Sequence, residues 1–152
     1  VTLTDTAPST GIVRPPSWRL ELPAGMYLLN ANQNLHFRRK AEHVKVIRNA
    51  AATLARHSKL PALQRAHVFY VVHPGLKVTR RDPGNWAPSA KAAVDGLVDA
   101  GVLPDDDSTR LLGPDPRIGA PQAKPQLVLI VTDLDAMDPA NIALLNPPGE
   151  PS

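Results

Sequence analysis

Two runs in this chain, Arg65–His73 (RAHVFYVVH) and Gln126–Asp133 (QLVLIVTD), are rich in β-branched and aromatic residues and too short for buried helices. Runs of that kind suit strands covered on at least one face, so a sheet with helices packed on it is the framework to expect. The segments around them fit. Ser17–Leu22 alternates apolar and polar residues, as a short strand does. Leu35–Ser58 carries Phe37, Ala41, Val44, Ile47, Ala51, Leu54 and Ala55 at spacings of three and four, which predicts a long amphipathic helix. Trp86–Ala100 is a second helix, with Pro88 in its first turn, Ala90, Val94, Leu97 and Val98 facing a core, and Gly101 where a C-terminal cap wants a positive φ. Thr109–Leu112 reads as a short strand and Gly113–Pro125 as a loop rich in Pro and Gly. The expected fold class is α/β (α+β): a single domain with a mixed β-sheet and two main helices.

At 152 residues one domain is expected, at 17–135. Of the 17 prolines, Pro8, Pro15, Pro16 and Pro23 punctuate the start, and Pro139, Pro147, Pro148 and Pro151 the end. Proline lacks an N–H and fixes φ, so these stretches are expected to be neither helix nor central strand. Residues 1–16 are read as a flexible segment and 136–152 as a Pro-rich tail.

There is no cysteine, which excludes disulfides, thiol catalysis and thiolate–metal sites. Val1–Gly11 has no apolar core of the kind a signal peptide carries, and the longest apolar run, Leu127–Val131, is far too short to span a bilayer. The expectation is a cytoplasmic protein without a membrane partner or a small organic cofactor. The net charge of +3 hides an asymmetry. Residues 35–81 hold eleven Lys/Arg and one acidic residue, and residues 82–152 hold four Lys/Arg and eleven acidic residues. A basic half suits a polyanion, and an acidic half suits something that needs carboxylates. Ordinary solvated faces would give the same composition.

On the first helix Arg38, Lys45, Arg48, Arg56 and Lys59 fall within an arc of about 80° beside the apolar stripe, a ridge fit to meet phosphates. Basic stems also flank buried faces simply because they snorkel. Asn30–Asn34 precedes this helix as an Asn-rich loop. Of the five histidines, His67 and His73 flank an apolar strand and read as structural. Trp86 and Trp18 could stack on bases, though core burial is the simpler reading.

Asp105, Asp106 and Asp107 stand together just beyond the second helix, where neighbouring charges and the helix dipole both disfavour them unless a cation is present. A bare triplet is also a common solvated loop. Within 26 residues, however, the chain adds Asp82 and Asn85 in a turn, then Lys91 and Asp95 one helical turn apart. Carboxylates can hold a hard divalent ion, and a lysine can neutralise charge developing on a phosphate. The helix between the turn and the triplet would be about 22 Å long, so one of the flanking loops must fold back for the two groups to meet.

The stretch RRDPGNWAPSAKAAVDGLVDAGVLPDDDS, Arg80–Ser108, resembles the core signature of the RusA-type Holliday junction resolvases. It has an acidic turn with Asn, a helical Lys, a D-G-L-x-x-A-G-V helix end and paired aspartates. LLNANQNLHFRRK, Leu28–Lys40, resembles the family's Asn-rich, basic approach to its first helix, and GPDPRIG, Gly113–Gly119, a loop of its actinobacterial and actinophage branch. The resemblance spans about residues 17–133. It implies a homodimeric crossover junction endodeoxyribonuclease that cuts four-way DNA junctions with paired nicks, using Mg²⁺ or Mn²⁺. By position, Asp82, Asp105 and Asp106 match the acidic ligands and Lys91 the catalytic lysine. Asp107 joins the expected metal ligands, and Asn85 and Asp95 support the site. Asn34, Arg38, Arg39, Lys45, Arg48, Arg80 and Arg81 are expected on DNA. Three extra residues separate Asn85 from Lys91 relative to the shorter family form, and many members carry Asp at the position of Gly84. An alternative expectation is therefore a branched-DNA-binding protein of this fold with impaired catalysis, and a third is an interaction protein that associates through its charge asymmetry.

Overall fold

A computed structural model describes residues 15–77 and 82–145. The chain runs β1 (Ser17–Glu21), α1 (Phe37–His57), β2 (Ala66–His73), a 3₁₀ turn (Pro83–Trp86), α2 (Ala87–Asp99), β3 (Leu111–Ile118), β4 (Gln126–Asp133) and α3 (Pro139–Leu145). The strands form one mixed sheet in the order β1-β4-β2-β3. β4 pairs antiparallel with both β1 and β2, whereas β2 and β3 are parallel. The two apolar runs are thus the two central strands. Alternation puts Val68, Tyr70 and Val72 of β2 on one face, in register with Val131, Leu129 and Leu127 of β4. All six are buried, and α1 and α2 cover this face. Each fully buried leucine there contributes about 2 kcal/mol.

α2 is buried nearly all round, from Ser89 and Ala90 to Gly96 and Leu97. It lies against α1 as well as the sheet, and small residues set the approach. A Cβ on Gly96 would overlap the Arg48 carbonyl oxygen and come within 2.9 Å of the Ala51 Cβ. Only glycine lets the two backbones meet so closely. Beyond α2, Gly101 has φ +78°, the Gly101 N–H donates to the Val98 carbonyl, and the Val102 N–H to the Leu97 carbonyl, each at 3.0 Å. This double bond pattern ends the helix as the sequence predicts and turns the chain back.

Three expectations are corrected. The stretch read as a loop from Gly113 begins instead as strand, since β3 continues through Pro114 and Pro116 to Ile118. It is an edge strand with one side unpaired, so the missing proline N–H groups are tolerated, and an irregularity in its register with β2 at His67/Phe69 absorbs an extra residue. The stretch beginning at Pro139 forms α3; Pro139 occupies the first helical position, where no N–H is required. The apolar stripe of α1 is not buried along its whole length. Ile47, Ala51 and Ala55 are buried, but every residue of 37–42 is exposed and Phe37 keeps 70% of its surface. At 21 residues, α1 outruns its 13-residue partner α2, and its first turns project beyond the body. Among the described residues no helix is long and apolar enough to cross a membrane.

Candidate functional site

The loop that follows α2 folds back along it. Asp106 reaches Lys91, eight positions before the last residue of α2, or about 12 Å along the axis. Lys91 Nζ also donates to Asp95 Oδ1 at 2.8 Å, the i,i+4 neighbour on the same face. The ammonium thus sits between two carboxylates. Asp106, and then Asp95, raise the pKa of Lys91, so it stays a cation. The bond from Lys91, more than any other contact, holds the Asp106 carboxyl below the usual carboxylate range. Lys91 remains well exposed while Asp106 is half-buried. This is a solvated charge cluster that a phosphate can approach.

The other end of α2 supplies the acidic turn. Asp82 Oδ1 accepts the Gly84 N–H at 3.0 Å, which shapes the 3₁₀ turn. The Tyr70 hydroxyl donates to the Pro83 carbonyl at 3.0 Å and ties the turn to the central strand. Burial, and then the charges of Asp82 and Asp115, push the Tyr70 phenol above its ordinary range. Tyr70 also lines, together with Lys91 and Asp106, a cavity of about 360 Å³ between α2 and β3. Lys91 and Asp106 wall this cavity, and Asp82 does not line it, though its charge reaches Tyr70, which does.

The Asn-rich loop is fixed to the same end of the molecule. The Ala31 N–H donates to the Asn85 carbonyl at 2.7 Å. Buried Ser89 accepts the Leu29 N–H at 2.6 Å and donates to the Leu29 carbonyl at 2.8 Å. Asn30 Oδ1 accepts the Asn32 N–H, a local bond of the kind the composition predicts. Asn34, Arg38, Arg39 and Lys45 are exposed on this loop and the projecting end of α1.

The remaining expected site residues make other contacts or fall outside the described residues. Asp105 Oδ1 accepts the Asp106 N–H at 2.7 Å, and Asp107 is bonded to the Thr109 backbone and hydroxyl; both shape the local turn. Among the described residues no three carboxylate or imidazole groups converge where one ion could be held. The basic ridge is also shorter than the helical wheel predicts. Arg48 is occupied by a two-pronged bond to Asp99 of α2, at 2.5 and 2.7 Å, and Arg56 reaches the Asp99 carbonyl. Lys59 lies past the helix end with φ 54°. Arg80 and Arg81 fall outside the described residues.

Sequence reasoning missed three residues that build the site. Tyr70 reads only as a strand former, yet it shares a face with Val68 and Val72, so its hydroxyl has to find a partner in the core. Ser89 is legible only as a polar residue within the apolar face of α2. Asp115 sits in a stretch read as loop, and it shares a 2.7 Å hydrogen bond with His67, which is 1% exposed. That bond supports the structural reading of His67. Trp86 is likewise buried in the core. Neither the protein-family models nor the curated proteins contain a match to this chain.

Proposed function

We propose that this chain is a Mg²⁺- or Mn²⁺-dependent endonuclease that resolves four-way DNA junctions as a homodimer, as its resemblance to the RusA-type resolvases implies. The observation that carries the reading is the return of the loop after α2, which brings Asp106 onto Lys91 beside a cavity lined by Tyr70, the residue that ties down the Asp82 turn. Mg²⁺ is commonly bound by one or two carboxylates, with water and substrate phosphate oxygens completing its shell. Asp82 and Asp106 are the carboxylates that would hold it, with Asp105 adjoining. The bound ion would supply an activated water and a clamp on the phosphoryl oxygens. Lys91 offers a fixed positive charge to the phosphate or the departing oxygen, and Asp95 keeps its ammonium in place when Asp106 turns to another partner. The exposed end of α1, with Phe37, Arg38, Arg39 and Lys45, meets the DNA backbone, which positions the substrate without reading its sequence. A two-fold dimer suits a substrate with two equivalent strands.

A second reading has a specific observation in its favour. Gly84 stands beside Asp82, where a side chain would begin 3.3 Å from Oδ1, and no three acidic groups converge among the described residues. A chain that lacks one carboxylate would grip branched DNA without cutting it. A labelled four-way junction and a matched duplex, followed with Mg²⁺ or EDTA on native and denaturing gels, separate the two. Paired symmetric nicks that need metal and vanish in Asp82→Asn and Asp106→Asn support the nuclease. Junction binding without nicks in any divalent metal, with nicking gained in Gly84→Asp, supports the second reading. Equal binding to junction and duplex overturns both.

A further inference from the structure

The phosphate grip proposed for the projecting end of α1 uses its cations and leaves one exposed ring without a task. Phe37, the first residue of α1, keeps 70% of its surface. Among the described residues Tyr27 is the other exposed aromatic, and it lies nearly flat against His43, with ring centroids 4.0 Å apart. The Phe37 ring is propped by its own helix end. The His36 ring stands 4.5 Å from it and is itself held as the helix cap, where Nδ1 accepts the Arg38 N–H at 3.3 Å. The Arg38 guanidinium carbon lies 5.8 Å from the ring centroid, within cation–π range. Arg38, Arg39 and Lys40 are exposed, and Glu42 is the one acidic residue of α1. Among the described residues none of these three cations is ion-paired, whereas Arg48 further along is held by Asp99.

The chemistry around the ring selects what covers it. A second copy of the same patch, brought up across a two-fold axis, would set three cations against three. An apolar peptide would satisfy the ring and gain nothing from the cations. Nucleic acid satisfies both, since each base offers a flat π-face and is flanked by phosphates. The ring is also tied to the acidic turn. The Ala31 N–H donates to the Asn85 carbonyl, and six residues of chain separate Ala31 from Phe37. Phe37 therefore stands within about 25 Å of Asn85, less than one turn of duplex DNA at about 34 Å.

We propose that Phe37 recognises the branch point: its ring stacks on a base face that the junction leaves open, while Arg38, Arg39 and Lys40 hold the flanking phosphates. The proposal rests on the junction-cutting reading and adds what that reading lacks. Phosphate contacts are alike on duplex and junction, so they position the DNA without preferring a branch. A stacking ring separates the two by cost. In continuous duplex every base face is covered, and a side chain enters only by unstacking a step. At a branch point the strands pass from one arm to another, so a face opens without parting a continuous stack.

The test measures binding to a labelled four-way junction and a matched duplex in EDTA, where no cutting occurs. Phe37→Ala is expected to weaken junction binding by about tenfold or more and to change duplex binding by less than about twofold. Phe37→Trp is expected to keep the wild-type junction affinity. An unchanged junction affinity in Phe37→Ala, an equal loss on junction and duplex, or a Phe37→Trp no better than Phe37→Ala overturns the proposal. Thermal melts check that both variants fold. If the wild type shows no junction preference, the nuclease reading fails first, and the ring is judged on a single-stranded thymidine oligonucleotide. A loss of about tenfold in Phe37→Ala, restored in Phe37→Trp, upholds base stacking there; no binding by the wild type, or no loss in Phe37→Ala, overturns it.

Discussion

Lys91 is ion-paired to Asp106, fifteen positions further along the chain, because the loop after α2 doubles back along the helix that carries the lysine. The turn at Gly101 starts that return, and the buried Val102 and Leu103 hold it against the core. Asp106 therefore belongs to the middle of α2 and not to its end. Replacing Lys91 by Ala should lower the rate of metal-dependent nicking at saturating protein by about a hundredfold or more, the cost typical of removing one donor aimed at developing charge. Lys91→Arg should restore little of it, because a planar fork does not replace a point charge between two carboxylates. Single-turnover nicking of the labelled junction measures both.

The projecting end of α1 makes a prediction about salt. Arg38 and Lys45 are exposed, while Arg48 is held by Asp99. The double substitution Arg38→Ala, Lys45→Ala should make the plot of log affinity against log salt shallower by about two, near one unit for each phosphate no longer neutralised. Arg48→Ala should leave the slope unchanged. Junction binding measured across a series of salt concentrations separates these outcomes.

The crossing of α1 and α2 depends on Gly96. Gly96→Ala forces a methyl group against the Arg48 carbonyl and the Ala51 side chain, and neither backbone can yield without moving a helix. The expected loss is about 1–3 kcal/mol, despite the better helix propensity of alanine. Urea unfolding should show a lower midpoint with an unchanged slope.

The frame of the fold was legible and part of the site was not, for physical reasons. β2 and β4 announce themselves because central strands need apolar residues on both faces, and Gly101 because few residues accept its φ. Pro114 and Pro116 hide β3, since proline argues against a strand unless the strand is known to lie on an edge. The pair Lys91–Asp95 follows from helical spacing alone. Lys91–Asp106 does not, because it depends on which loop turns back. The helical wheel puts Arg48 and Arg56 on a basic ridge, but it contains no second helix and so cannot place Asp99 opposite them.

That Arg48–Asp99 pair also gives a pH dependence. The Arg48 guanidinium, first by its hydrogen bond and then by its charge, holds the Asp99 carboxyl below the ordinary carboxylate range. A lowered acid stabilises the fold fully above that range, and the contribution disappears as pH falls through the lowered value. Asp99→Asn should therefore reduce Tm slightly at neutral pH, with the deficit shrinking as pH falls below the ordinary carboxylate range. Thermal melts of both proteins at stepped pH report the convergence.

The central claim is that the turn at Asp82 and the loop at Asp106 serve one cation. Mn²⁺ added below stoichiometry to ¹⁵N-labelled protein broadens the amide signals nearest the ion. Signals of 84–86 and of 105–107 should fade together at the same Mn²⁺ concentration and recover together when Mg²⁺ is added in excess. Fading confined to one of the two segments, or at neither, would contradict a shared site and leave the basic end of α1 as a grip on DNA without chemistry beside it.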